Sequence, residues 1–537
     1  MSLLDKATII TTPTAHSNGV LHSIKGGSVA DFDVVRSSSA TRVNAEGLIE
    51  DISTLSGELV TNGGFDSDTN WALGTGWSIN GGSANCDSSS GSLYQSSVVE
   101  IGKSYICKFE ITSITSGSVA INAGGNTTGV SRTSVGTYSE ILQVTSGSNN
   151  RVYIISQGFQ GSVDNISVKE VIDATNIPRI DYTDGTASLL LEPQSTNLVT
   201  DSQNYNSTCW GGQRGDLSDG GGGLFYLSPN SNVIKYEVNQ TGFNQMYYRL
   251  PSSVTIGNTY TKQGYVKCDD APYIHFQVQT LSGNPTIVWD NVNNVVISSG
   301  ASIDSYNITS LNGWVKAEIT YTATVATIYA SLKTYFSTSS TDNSAGVPIG
   351  TIAYQTFVQL EEQSYATSYI PTSGAIATRL ADVVTGAGDA TTFNSTEGVL
   401  YAEMASLSNV VPSNYISISD GTYNNRLSIL YTSGSNIIRA FLRVGGASQV
   451  DMTFSVADIK DFHKVAFKYK ENDFALWIDG VEVGADTSGS TMPSGTLSKL
   501  SFSEINTAAG LFRGKVKSVI TYNTALTDAE LECLTTI

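Results

Sequence analysis

From Ser104 to Tyr522 the chain keeps returning to one pattern: short runs rich in β-branched and aromatic residues, each closed by a cluster of Gly, Ser, Asn or Asp. The runs are Ser104 to Ile111, Val152 to Ser156, Thr259 to Cys268, Ile274 to Thr280, Trp314 to Ala323, Val325 to Thr334, Val465 to Tyr469, Ala475 to Ile478 and Lys515 to Tyr522. Many short strands with turn signals between them bury their apolar faces by stacking sheet on sheet. The sequence therefore predicts an all-β chain, several antiparallel β-sandwich (jelly-roll) modules in series, with very little helix. The one helix it supports is terminal, where Thr527 and Glu530 form a capping box and Leu526, Leu531 and Leu534 share a side.

Composition sharpens this. Charged residues are only 14% of the chain, against about 25% in an ordinary soluble protein. Ser, Thr, Gly and Asn take their place, and these favour turns and exposed strand faces over helix surfaces. At 537 residues the chain is too long for a single core, so three or four domains are expected. The net charge of −19 repels phosphate backbones and anionic lipid, which argues against nucleic acid as a partner. No run of about 18 apolar residues is present, so membrane insertion is not expected. The start, Met1 to Lys6, has no basic stretch followed by an apolar core and does not read as a secretory signal.

Cys86, Cys107, Cys209, Cys268 and Cys533 are spread without a C-x-x-C spacing. They read as free, mostly buried thiols of a protein folded in a reducing cytoplasm, with a Cys86–Cys107 pair left as the alternative. Punctuation marks the modules. Leu59 to Asp66 opens one that closes near Val163 to Val168, Thr196 to Leu198 opens another that closes near Ile370–Pro371, and a last one runs from about Thr378 to the end. The first 57 residues show little core of their own.

These residues carry a resemblance that covers most of the chain. Gln359 to Gly374, followed by Thr378–Arg379, resembles the string that closes a jelly-roll module in bacteriophage tail-fibre, head-fibre and related virion proteins. Ser2 to Ala7 with Pro13 to Ala15 resembles a leader shared by virion proteins of phages of Bacteroidetes. Arg36 to Glu50 resembles one half of a stretch that continues at Ile177 to Tyr182 and Leu189 to Leu198. In many phage structural proteins those halves are nearly contiguous, so the intervening module reads as an insertion at an exposed loop. Phe462 to Tyr469, Phe474 to Gly484, Phe512 to Val516 and Tyr522 to Glu530 resemble the hairpin, closing strand and helix of the laminin-G and concanavalin-A-like group. The physics agrees there, since the runs alternate and Asp479–Gly480 makes a hairpin turn.

The resemblance implies five parts: a virion-attachment segment over 1–57, an inserted carbohydrate-binding-module-like jelly roll over 58–172, a connecting segment over 173–195, a second jelly roll over 196–374 and a laminin-G-like sandwich over 375–537. It implies a virion structural protein, fibre or appendage, assembled in the bacterial cytoplasm and displayed on the particle surface. Its partners would be other virion proteins, bound through the N-terminal segment, and host-surface glycan. Such fibres are commonly homotrimers. The rival readings are a capsid or tail decoration protein using the sandwiches as spacers, and a polysaccharide depolymerase.

Sugar recognition uses aromatic faces against C–H-rich pyranose surfaces, which makes Trp71, Trp77, Tyr94, Trp210 and Tyr247–Tyr248 the candidates. Each also fits a core position, because large aromatics are mostly buried. Trp477 reads as core. In modules of this resemblance an acidic residue at each end often holds a structural Ca²⁺, and the matching positions are Asp66 and Asp164. The alternative is a turn aspartate and a solvated strand end. Asp66 to Asn70 mimics an EF-hand opening, but Trp71 and Trp77 stand where Gly and Glu are required.

No catalytic pattern emerges. A retaining glycosidase needs two carboxylates about 5 to 5.5 Å apart, and no Glu-x-Asp-x-x-Glu run exists to supply them. Glu361–Glu362 are adjacent and face opposite sides of a strand. G-x-S-x-G, H-E-x-x-H and phosphate-loop strings are missing, and His16, His22, His275 and His463 are scattered. No enzymatic activity is expected.

Overall fold

The computed structural model describes residues 2–17, 20–45, 47, 49–52, 54–144, 149–173, 175–202, 209–220, 233–311, 313–327, 333–409, 412–434 and 436–536. Strand pairing throughout them is antiparallel, and the helical pieces are Leu3–Lys6, a 3-10 turn at Ser28–Ala30 and Asp528–Thr535. The chain is all-β, as its alternation dictates. Of the expected strand Val325 to Thr334, residues 328–332 lie outside the described residues, and the strand found there is Lys333–Ser337. The chain divides into two compact units, each discontinuous in sequence: 1–47, 175–194 and 379–537 form one, and 48–174 with 195–378 form the other.

The first unit is a sandwich. One sheet runs in the order Val383–Thr385, Phe32–Val35, Val20–Lys25, Ala7–Ser17, Gly514–Tyr522, Glu397–Ser406, His463–Lys470, Phe474–Ile478 and Val481–Asp486. The other runs Ala447–Ser455, Ile437–Val444, Arg426–Tyr431, Asn414–Ser419 and Lys499–Ser501. Ile9, Leu400, Met404, Phe467 and Leu476 from the first meet Ile416, Leu427, Ile429 and Leu442 from the second. Asp479 and Gly480 both take positive φ, 51° and 83°, in the hairpin turn expected of them.

The N-terminal segment departs from expectation. The sequence places it before the modules with little core of its own, yet Ala7–Ser17 is a strand beside Gly514–Tyr522, with Ile10 opposite Ile520. Ile9 enters the main core, while its neighbour Ile10 joins Trp477, Tyr522, Leu526 and Leu531 under the terminal helix. Lys6 pairs with Glu530 of that helix, whose capping box forms as read. A partner strand some five hundred residues away leaves no local mark, and so the segment looked coreless.

Three pieces of this unit are clasped by buried charge. Arg36, Arg179, Arg379, Glu192 and Asp382 are all at most 4% exposed. Asp382 accepts from Arg36 Nη1 at 2.8 Å, from Arg179 Nη2 and from the Glu192 backbone N–H at 2.9 Å, while Glu192 accepts from Arg179 and Arg379. Burial alone would raise the Asp382 carboxyl, but Arg179, Arg36 and Arg379 outweigh it and hold it at about 2. Beside the clasp the two resembling halves meet. Arg36 and Asn176 exchange hydrogen bonds of 2.8 and 2.9 Å, and Val43 does the same with Asp181 and Tyr182 at 3.0 Å.

The second unit holds two separate cores. One gathers Phe65, Trp71, Trp77, Tyr105, Phe109, Ile154, Phe159 and Val163 of the inserted module. Its spine is a pair of strands, Ser104–Ala123 and Val152–Asp173, of 20 and 22 residues. The sequence reading stopped these strands at Ile111 and Ser156. The Ser/Thr/Gly stretches beyond them pair with each other instead of turning, Ser113 against Ser162 and Ser116 against Gln160, through three register shifts.

The other core lies between two six-stranded sheets. The first is ordered Trp210–Gln213, Asn244–Tyr248, Lys333–Ser337, Tyr273–Gln277, Thr286–Asp290, Val295–Ser298; the second Gly215–Asp219, Ile234–Val238, Ile352–Glu361, Thr259–Lys267, Trp314–Thr322, Ser305–Leu311. The closing string is an internal lock. Asn197 donates to Ile370 O at 2.9 Å and accepts from Val199 and Leu360, Gln359 accepts from Ile370 N–H at 2.7 Å, and Glu361 accepts from Ser195 and Thr367.

Candidate functional site

In the strand Tyr273–Gln277 alternation sends Ile274 and Phe276 into the core and Tyr273, His275 and Gln277 to the outer face. Register then lays a row across the whole sheet: Gln213, Gln245, Tyr335, His275, Val288 and Ser298. Tyr335 donates to Gln277 Oε1 at 3.1 Å, Gln279 donates to the same oxygen at 3.2 Å, and Gln245 donates to Gln213. The Tyr247 ring lies against Gly211, where a Cβ would stand 2.4 Å from it. Phe243, 39% exposed, meets Tyr335 edge to face. Amides and aromatic rings side by side are what neutral hydroxylated ligands bind.

One end of the row opens into a groove of about 440 Å³. Val288 and Ile297 are the apolar part of its lining, and His275, Ser340, Asp342 and Asn343 are among the polar part. The loop that carries Asp342 is fixed from within: Ser337 Oγ donates to the Asp342 carbonyl at 2.7 Å, and Asp342 Oδ1 accepts from Ser344 N–H and Oγ at 2.8 and 2.6 Å. The Ser344 hydroxyl and amide hold the Asp342 carboxyl below the usual range, so it is ionised at neutral pH. His275 Nε2 stands 2.8 Å from Ser339 O, and burial pushes the imidazole down toward its neutral form.

The tryptophans named from sequence are corrected. Trp71, Trp77 and Trp210 are 7%, 6% and 7% exposed, and each indole N–H is spent on a backbone carbonyl, of Asn62, Gly91 and Asp201. They pack on Phe65, Phe159 and Tyr248, so no sugar reaches their faces. Tyr248 is buried with its hydroxyl on Thr200, whereas Tyr247 is half-buried on the outer face. Tyr94 is also half-buried, paired with Tyr153 at 5.4 Å and covered by the Arg151 guanidinium at 4.5 Å. That pair is a smaller aromatic surface on the inserted module.

Asp66 is exposed, on a turn pinned by Asn62 to Ser67 O and Thr69 O, and Asp164 accepts its own neighbour Asn165 N–H at 2.7 Å. The Ile166 N–H to Gly63 O bond ties the Asp66 turn to the strand that carries Asp164. Among the described residues no group of three or more His, Cys, Asp or Glu is gathered. All five cysteines are free thiols, Cys86 and Cys107 included. Glu362 bonds Asn258 and Tyr260 while Glu361 is locked inward, so the adjacent pair points apart.

Residues 404–532 match the model of the concanavalin A-like lectin/glucanases superfamily. That is the region whose hairpin and closing strand resemble the laminin-G group, and the fold found there is the matching sandwich. No curated protein matches the chain. Among solved structures, the N-terminal tandem CBM22 domain from Paenibacillus barcinonensis Xyn10C is 11% identical over 58% of this chain and 100% of its own, with a TM-score of 0.20. Laminin α1 domains LG4-5 of mouse are 10% identical over 55% and 91%, TM-score 0.19. Trypanosoma rangeli sialidase is 9% identical over 93% and 98%, TM-score 0.23. At such scores the likenesses carry no argument about function.

The groove was missed in the sequence because His275 and Asp342 stand far apart along it. The available signal was phase: His275 occupies a polar position in an alternating strand whose other members are Tyr and Gln.

Proposed function

We propose that the chain is a non-catalytic structural protein of a bacteriophage particle that presents β-sandwich modules to host-surface glycan. The observation that carries the glycan part is the outer sheet face of the 196–374 sandwich, where Gln, Tyr and His line a row that ends in a groove. The lectin-like match of residues 404–532 supports the same reading for the last module. The phage part is supported by the resemblance of the closing string and the leader. Attachment to other virion proteins then falls to the surface of the first unit, since Ala7–Ser17, Val20–Lys25 and Phe32–Val35 are strands of its sheet. A homotrimer would multiply weak site affinities by avidity.

Affinity electrophoresis of the full chain in gels cast with host-surface polysaccharide tests this. Retarded migration is expected, and Ser298→Trp, which fills the groove from an exposed edge-strand position, is expected to abolish most of it. Free migration in every host polysaccharide overturns the reading.

The same proposal places calcium between Asp66 and Asp164, with its remaining donors drawn from backbone carbonyls. A bound ion at a hundred times its Kd adds about 2.7 kcal/mol to the inserted module. Its melting transition should rise in millimolar Ca²⁺ over EDTA, and an unchanged transition removes the ion from the account.

A further inference from the structure

We infer that the groove selects an uncharged saccharide, taking hydroxyl protons from it on two acceptors, His275 Nδ1 and the Asp342 carboxylate, and turning away uronate and sulfated sugars. The inference rests on the glycan-binding reading of this face.

The tautomer follows from geometry. Ser339 O, 2.8 Å from His275 Nε2, only accepts, so Nε2 carries the ring proton. Nδ1 is then a lone pair, and it has no partner among the described residues. Burial disfavours a second ring proton, which keeps it that way at neutral pH. Asp342 fills only Oδ1 with Ser344, and Oδ2 is left to the groove. An ionised carboxylate has no donor to offer and takes hydroxyl protons in short, charge-assisted bonds.

The rest of the lining fits. Thr286, Ser298, Ser340 and Thr341 supply hydroxyls that donate or accept, and Val288 with Ile297 gives the apolar wall a pyranose C–H face needs. The volume of about 440 Å³ lies inside the range of small-ligand sites. Among the described residues no lysine or arginine lines the groove. Lys333 of the same face stands opposite Gln277, outside the lining. A carboxylated or sulfated sugar would meet Asp342 with no positive group to offset it, in a chain of net charge −19.

The test is calorimetric titration of the full chain, and of Asp342→Asn and Ser298→Trp, with neutral oligosaccharides and with uronate-containing or sulfated ones. Wild type should bind a neutral oligosaccharide and not the anionic ones. Asp342→Asn should weaken the neutral ligand about tenfold, the loss of one charge-assisted bond, with an unchanged melt. Preference for the anionic ligands overturns the inference while leaving glycan binding standing. Neutral binding that survives Ser298→Trp undiminished also overturns it, because the sugar then sits elsewhere. Heat evolved with neither class sinks both readings.

Discussion

Replacing Asp382 with alanine is expected to destabilise the lectin-like unit by about 3 to 5 kcal/mol, the loss seen when one partner of a buried ion network is removed. Asp382 is 3% exposed and faces Arg36 and Arg179 directly, with Arg379 reaching it through Glu192. Taking it away leaves Glu192 alone among three buried guanidinium groups. Arg36→Met should cost less, because burial already pushes the Arg36 guanidinium below its usual range and its removal relieves the excess of positive charge. Hydrogen exchange across Glu397–Ser406, a central strand of that sheet, reads the effect without interference from the other cores. Protection that is unchanged in Asp382→Ala would show the clasp to be ornamental, and a larger loss in Arg36→Met would invert the argument. The acid side carries a sign. The folded carboxyl sits at about 2 and an unfolded one near 3.9, so its contribution is complete above pH ~4 and disappears as pH falls through ~2.

The clasp also shows what the sequence could and could not reveal. Arg36, Arg179, Glu192 and Arg379 all lie in the strings that carry the resemblance to phage structural proteins. What joins them is tertiary, since Arg36 and Asp382 are separated by 346 residues. Alternation and turn chemistry act over a few residues, and this is why the strands Thr259–Lys267, Tyr273–Gln277, Trp314–Thr322, His463–Lys470, Phe474–Ile478 and Gly514–Tyr522 and the Asp479–Gly480 hairpin are legible. The N-terminal strand depends on Gly514–Tyr522, and the Ser113–Ser162 ribbon on a partner of equally turn-like composition, so neither left a local signature.

The site failed for a related reason. A search for exposed aromatics favours tryptophan, yet tryptophan buries more surface than any other residue and its N–H finds a carbonyl inside, as Trp71, Trp77 and Trp210 each do. The groove is lined instead by residues too ordinary to attract notice, serine, threonine, asparagine and aspartate at its exposed rim and His275, 3% exposed, beneath them. Their meaning comes from sharing a row, and a row is a property of register.

Lys262→Met is expected to stabilise the 196–374 sandwich at neutral pH, by about 2 to 4 kcal/mol, because it removes a charge that the core does not accommodate. Lys262 pairs in register with Ile319 and Leu360, both core residues, and is 2% exposed. Its ammonium finds no hydrogen-bond partner, and the Phe276 ring, 5.7 Å away, offers only a weak attraction. Burial alone pulls its pKa down to about 7. In the unfolded chain a lysine titrates near 10.4, so between about pH 7 and 10.4 the unfolded state holds the extra proton and stability rises with pH. The rise amounts to at most about 5 kcal/mol, and below about pH 7 the whole penalty is present. Calorimetry of the wild-type chain should therefore show the transition of this sandwich climbing between pH 7 and 10, and the Lys262→Met transition should stay flat over the same interval, already high at pH 7. A wild-type transition that does not move with pH, or a methionine variant that melts lower, would mean that the amine has a partner and that this core is polar by design.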